Sequence, residues 1–175
     1  MNYRTLLHSL LIATLGVLAT GCTRDVAEPA MAERLQQLED REQIRELMTA
    51  YGATLDRRDF AAFGKLFAED AEYGGGPSAV QGRAAIQAQL ESIIGSNPSN
   101  LPAPNFHLFF NPSIHVEGDT ARATSLGAYT APDAASGSTR MVFFVSYQDT
   151  LVKRDGRWLF HRRVTGSGAP PAPVR

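Results

Sequence analysis

Apolar residues recur at three- and four-residue intervals through the first half of the chain and give way to alternation in the second. Leu35, Leu38, Ile44, Leu47, Met48, Tyr51 and Leu55 form one stripe, which predicts a long amphipathic helix beginning near Glu33. The polar run Asp56-Arg57-Arg58-Asp59 breaks it. Asp59 stands where a helix N-cap is wanted, just ahead of Phe60, Phe63, Leu66 and Phe67. A second, short helix is therefore expected, followed by the start of a strand at Tyr73. Gly74-Gly75-Gly76-Pro77 stops the chain, and Gly82 to Ile94 predicts a third helix with Ile86, Leu90, Ile93 and Ile94 on one side.

After a loop from Gly95 to about Asn105, four strands are expected in close succession: 106–116, 120–131, 140–152 and 157–165. Glu117-Gly118-Asp119 and Asp155-Gly156 are turns short enough to force antiparallel neighbours. Helices followed by strands predict an α+β fold, a long-stranded antiparallel sheet with the helical stripes covering one face. With 43% hydrophobic and 20% charged residues, the composition suits one globular domain. A formal charge of −1 argues against nucleic acid as a partner, which calls for clustered excess Lys and Arg.

The N-terminus changes the picture. Arg4 precedes an uncharged apolar run, Leu10 to Ala19, too short to span a bilayer and suited to an export signal. It ends in Leu18-Ala19-Thr20-Gly21-Cys22, which resembles a bacterial lipobox. The expectation is a lipoprotein signal at 1–21, lipidation of Cys22, a flexible tether at 22–32, a domain at 33–166 and a disordered or loosely laid tail at 167–175. The protein would then sit in the bacterial cell envelope, held to a membrane by its lipid anchor. The alternative is a simple secretory signal with an incidental or buried cysteine. Cys22 is the single cysteine, so no internal disulfide can form.

Four stretches carry a family resemblance: EQIRELMTAYGATLDRRDFAAFGKLFAEDAEY, the GRAAI start of the third helix, FHLFFNPSIHVEGDTARATS and the closing YQDTLVKRDGRWLFHRRV. In this order they resemble the SnoaL-like branch of the nuclear transport factor 2-like superfamily, over roughly Leu38 to Val164. The resemblance implies a cone: a curved antiparallel sheet of four long strands plus short ones, wrapped on three N-terminal helices around an apolar pocket. It also implies a homodimer. The chain is similar in particular to scytalone dehydratase-like members, which include dehydratases and a dehydrochlorinase. Those enzymes place an Asp after the first helix and a His at the start of the first long strand, matched here by Asp56 and His107. Tyr51 matches a tyrosine used by some of the dehydratases, and Arg163 a pocket arginine of the dehydrochlorinase. The second long strand offers Tyr129 and Thr130 where several dehydratases carry another His or Asp.

Chemistry supplies a reason for such a pair. A His that accepts a proton near neutral pH needs a fixed tautomer, and a carboxylate on the other ring nitrogen provides it. Tyr51 can donate its phenol to a developing oxyanion. Tyr129 and Tyr147 are pocket candidates by strand position, and Arg163 could hold an anionic group or departing halide. Each has a plainer alternative: a solvated turn for Asp56, core packing for His107 and the tyrosines, a surface ion pair for Arg163. Arg163 alternates with Trp158, Phe160 and Val164, which predicts that it points away from their face. His115 and His161 have no partner at metal-ligand spacing, and nucleophile-elbow, dinucleotide and phosphate-loop motifs are absent from the sequence. No cofactor and no metal are expected. The reading is a cofactor-free, dehydratase-like lyase or isomerase acting on a small apolar molecule. Its rivals are a non-catalytic envelope lipoprotein that binds a hydrophobic ligand or a protein partner, and a structural lipoprotein with a filled cone.

Overall fold

The computed structural model describes residues 24–95, 105–133, 135–167 and 171–174, so Cys22 and the signal segment lie outside the described residues. The chain divides into a unit up to Arg34 and a larger one from Leu35 onward. Three helices come first: α1 (Arg24–Asp56), α2 (Phe60–Gly64) and α3 (Arg83–Leu90), the last continued by a π-helical turn at Glu91–Gly95. Strand β1 (Phe67–Tyr73) and the short β2 (Val80–Gln81) lie between α2 and α3. Four long strands follow: β3 (Phe106–Glu117), β4 (Thr120–Pro132), β5 (Thr139–Arg154) and β6 (Arg157–Gly166). Together the strands form one curved, unclosed sheet in the order β2-β1-β6-β5-β4-β3.

Helix α1 starts at Arg24, so residues 24–32 are helical rather than a tether. Ala, Glu and Met in this run favour helix by intrinsic propensity, whereas Pro29 within it lacks the N–H for a helical bond. The stripe itself is shorter than its sequence pattern. Ile44, Met48, Tyr51 and Leu55 are buried, whereas Leu35 and Leu38 are exposed. The buried position near the start of the stripe is Asp40, whose carboxylate accepts from Lys153 Nζ at 2.7 Å and Trp158 Nε1 at 2.9 Å. Burial pushes this carboxyl up, but those donors outweigh it and hold the group below its ordinary value.

Helix α1 ends where Arg58 turns into the left-handed region at φ 59°, and Asp59 caps α2 by accepting from Ala62 N at 2.9 Å. Helix α2 closes at Gly64, so Phe67 opens β1 instead of extending the helical stripe. The long strands β3 to β6 pair antiparallel, as their tight turns require. Strand β1 pairs with β6 in parallel, which makes the sheet mixed. Strand β3 exposes Phe106, Leu108 and Phe110, and across β4 from them β5 exposes Met141 and Phe144. At the C-terminus, residues 171–174 have no regular structure, and Val174 O accepts from Ser113 Oγ of β3 at 3.5 Å.

Candidate functional site

The site forms where the last turn of α1 meets the first residues of β3. Gly52 permits the contact. A Cβ at this position would stand 2.9 Å from His107 Cβ and 3.0 Å from Phe109 Cε2, closer than side chains pack. One turn further on, Asp56 reaches β3. Its Oδ1 lies 2.6 Å from His107 Nδ1, and its two oxygens accept from the His107 backbone N–H at 3.1 and 3.0 Å. The carboxylate thus grips both backbone and ring of one residue, so the imidazole has little freedom to swing. A ring proton on Nδ1, shared with the carboxylate, leaves Nε2 with a lone pair. Both side chains are largely buried.

His107 lines a cavity of about 510 Å³. Aliphatic side chains of α1, α3 and the π turn form part of the wall: Leu55, Leu90, Ile93 and Ile94. The expected regular helix to Ile94 instead widens at Glu91, and this wider turn carries both isoleucines that border the cavity. Tyr51, Tyr73, Tyr129 and Tyr147 also line it, with Ser78, Gln89 and Thr165 adding small polar groups. The opening is not filled by aromatic side chains, contrary to the filled-cone alternative.

The tyrosines have distinct settings. Tyr51 and Tyr73 share a hydrogen bond between their hydroxyls at 3.0 Å. Burial pushes the phenols of both up, Tyr51 far above its ordinary value, and raises that of Tyr147 to about 12. All three are therefore proton donors at neutral pH and not bases. Tyr129 lies against the His107 ring, 4.7 Å between centroids, and stacks on Phe143 at 5.3 Å. Gly127 makes room for Tyr147, since a Cβ there would come within 2.7 Å of its ring.

Arg163 does not line the cavity. It is fully buried, paired with Asp149 through Nε at 2.8 Å and Nη2 at 3.0 Å. Its guanidinium lies 4.1 Å from the Tyr51 ring centre, 4.2 Å from Tyr147 and 4.1 Å from Phe160. Strand alternation predicts the opposite face from Phe160. The reason for the difference is a break in register: Thr150 pairs with Arg162 and Leu151 with Phe160, so His161 is skipped and Arg163 turns inward. Burial works against the Arg163 charge, but the Asp149 carboxylate overrides it and holds the group protonated. The pair is an internal support beneath Tyr51 and Tyr147, out of reach of a ligand.

Three further residues shape the site without having been singled out by sequence pattern. Tyr73 is readable in sequence only as part of a starting strand, and Asp149 only as a strand polar residue. Arg58, inside the polar break, borders the cavity. Its Nη1 donates to Leu55 O at 2.7 Å and its Nη2 to Asn105 Oδ1 at 3.3 Å.

Known proteins supply context for this arrangement. A model of the SnoaL-like domain matches residues 36–164. A Novosphingobium aromaticivorans protein with an NTF2-like, cystatin-like fold is 30% identical, with 77% of this chain and 86% of that one covered and a TM-score of 0.64. A scytalone dehydratase-like protein of the same organism is 26% identical over 79% of this chain and 91% of its own, at a TM-score of 0.62. An uncharacterized protein of Mycobacterium tuberculosis is 29% identical over 136 residues, 73% of this chain and 85% of the relative.

Proposed function

Because the chain belongs to the SnoaL-like family, we propose that its cavity hosts a cofactor-free elimination or isomerisation of the dehydratase type. The observation that carries this reading is the 2.6 Å contact between Asp56 and the Nδ1 of a histidine that lines an open, mostly apolar cavity. The substrate is small and largely apolar, with a hydrogen made acidic by a neighbouring carbonyl and a hydroxyl one carbon further on. Nε2 of His107 takes the proton from carbon, and the Asp56 carboxylate stabilises the imidazolium. The C–O bond then breaks, and the departing hydroxide receives a proton from the imidazolium, leaving as water. Tyr51, backed by Tyr73, donates a hydrogen bond to the oxygen on which charge develops. In an isomerase the same imidazolium returns its proton to a different carbon.

Scytalone and a panel of related β-hydroxy ketones provide the assay, followed by the absorbance of the conjugated product. Once turnover is found, His107→Gln is expected to lower kcat by about 10²–10⁴-fold, the usual contribution of a positioned acid–base group. Retained turnover in that variant removes His107 as the base. Ligands that raise the melting temperature without ever being converted would support the binding-protein reading instead.

A further inference from the structure

A cation, Arg58, borders the cavity, and no Asp or Glu is among the described residues that line it. Arg58 is half-buried, yet among the described residues it makes no ion pair. Its two hydrogen bonds go to neutral acceptors, the Leu55 carbonyl and the Asn105 side-chain amide, leaving other N–H groups for a ligand. The acids nearest in sequence are otherwise engaged: Asp56 with His107, Asp59 with the first turn of α2. The loop 96–104 contains no Asp or Glu either. A half-buried guanidinium at the cavity wall, bonded among the described residues only to neutral acceptors, favours an anion that reaches it from the cavity. Arg58 is also fixed in place. It closes the C-terminus of α1 from a left-handed backbone conformation, and its side chain bonds back to the same turn.

We propose that Arg58 is the anchor for an oxyanion, a carboxylate in particular, on the cavity's ligand. The apolar body of that ligand lies against Leu90, Ile93 and Phe143, and its acidic end is gripped by the guanidinium. The ligand class is therefore an apolar, aromatic or alicyclic body that carries a carboxylate in addition to the β-hydroxy carbonyl group of the proposed reaction. This rests on the cavity as the binding site of the proposed reaction, but not on His107 as its base.

The test uses naphthoate and its uncharged isostere naphthamide as probes, with dissociation constants from titration calorimetry on the folded chain. The wild type is expected to bind naphthoate about tenfold or more tightly than naphthamide, the usual worth of a hydrogen bond to a charged group. Arg58→Asn keeps a residue that tolerates the left-handed conformation, and is expected to abolish that preference while naphthamide binding persists. Arg58→Lys keeps the charge but not the fork, and is expected to retain only part of the preference. A wild type without preference overturns the proposal before any variant is made. So does an Arg58→Asn protein that still prefers the acid, or a preference that vanishes in His107→Gln, which would assign the cation to the imidazolium. Loss of turnover in His107→Gln with the preference intact supports the anchor and the base separately.

Discussion

At the scale of single residues, Arg163 shows how far a side chain's role depends on its neighbours. A charged residue in an alternating strand is ordinarily a surface group, but here one skipped residue turns it into a fully buried charge. Its pairing with Asp149 brings a bidentate geometry, and three aromatic ring faces receive the rest of the guanidinium. Removing one partner of such a pair strands the other in a low-dielectric interior. Arg163→Met is therefore expected to lower unfolding stability by about 3–5 kcal/mol in denaturant titrations. The double variant Arg163→Met with Asp149→Leu should recover much of that loss, since it leaves no orphan charge. If the double variant is as unstable as the single, packing of the guanidinium and not its charge dominates. Asp56 and His107 are more legible than Arg163. A carboxylate at a helix end and a histidine opening a strand can be picked out in sequence, although their contact cannot.

Among the elements, the junction of α1 and β3 sets the site. Helix α1 presents Tyr51 and Asp56 on successive turns, and β3 presents His107, but the two elements are 51 residues apart between the paired side chains. Their close approach depends on Gly52. Ala is ordinarily preferred to Gly inside a helix by about 1 kcal/mol, so propensity alone favours Gly52→Ala. A Cβ 2.9 Å from His107 Cβ reverses that sign, because overpacking a fixed contact costs about 1–3 kcal/mol. The variant is expected to be less stable than wild type by equilibrium unfolding, and to displace His107 from Asp56. A more stable variant would mean that α1 can shift away from β3 without strain. The short turns between β3, β4, β5 and β6 made their antiparallel order readable. The parallel β1–β6 pair was not, because the elements between them impose no direction on the pairing.

For the whole molecule, two properties follow from what is buried and from what precedes the domain. Tyr51, Tyr73 and Tyr147 are pushed above the ordinary phenol value of 10.0, the last to about 12. In the unfolded chain these phenols ionise near 10, while in the folded chain they stay protonated. Their contribution to stability is therefore complete below pH 10 and is lost as the pH rises from there toward about 12. Phenolate absorbance from the buried tyrosines should rise together with loss of far-ultraviolet dichroism, and not before it. Phenolate formation in a chain whose dichroism is intact would show that the cavity admits hydroxide without unfolding. We also propose that Cys22 carries the chain's lipid anchor, on the motif Leu18 to Cys22. Labelled palmitate should enter the wild-type chain in a bacterial host and fail to enter Cys22→Ala. Equal labelling of both would reduce the N-terminus to an ordinary export signal.

Periodicity, turn chemistry and capping were enough to establish the order of the long elements and the α+β class, while the family, and with it Asp56 and His107, was legible through the resemblance of whole motifs. These are local properties: a stripe, a tight turn or an N-cap is complete within a few residues of chain. The mixed sheet, the inward turn of Arg163, the burial of Asp40 in place of Leu35 and Leu38, and the place of Arg58 at the cavity wall came from tertiary packing. Each depends on a contact between distant residues or on a one-residue shift of register. Pattern along the chain reports which residues are apolar or charged. Which charge finds a partner, and which is left facing a cavity, is decided only when the sheet closes over the helices.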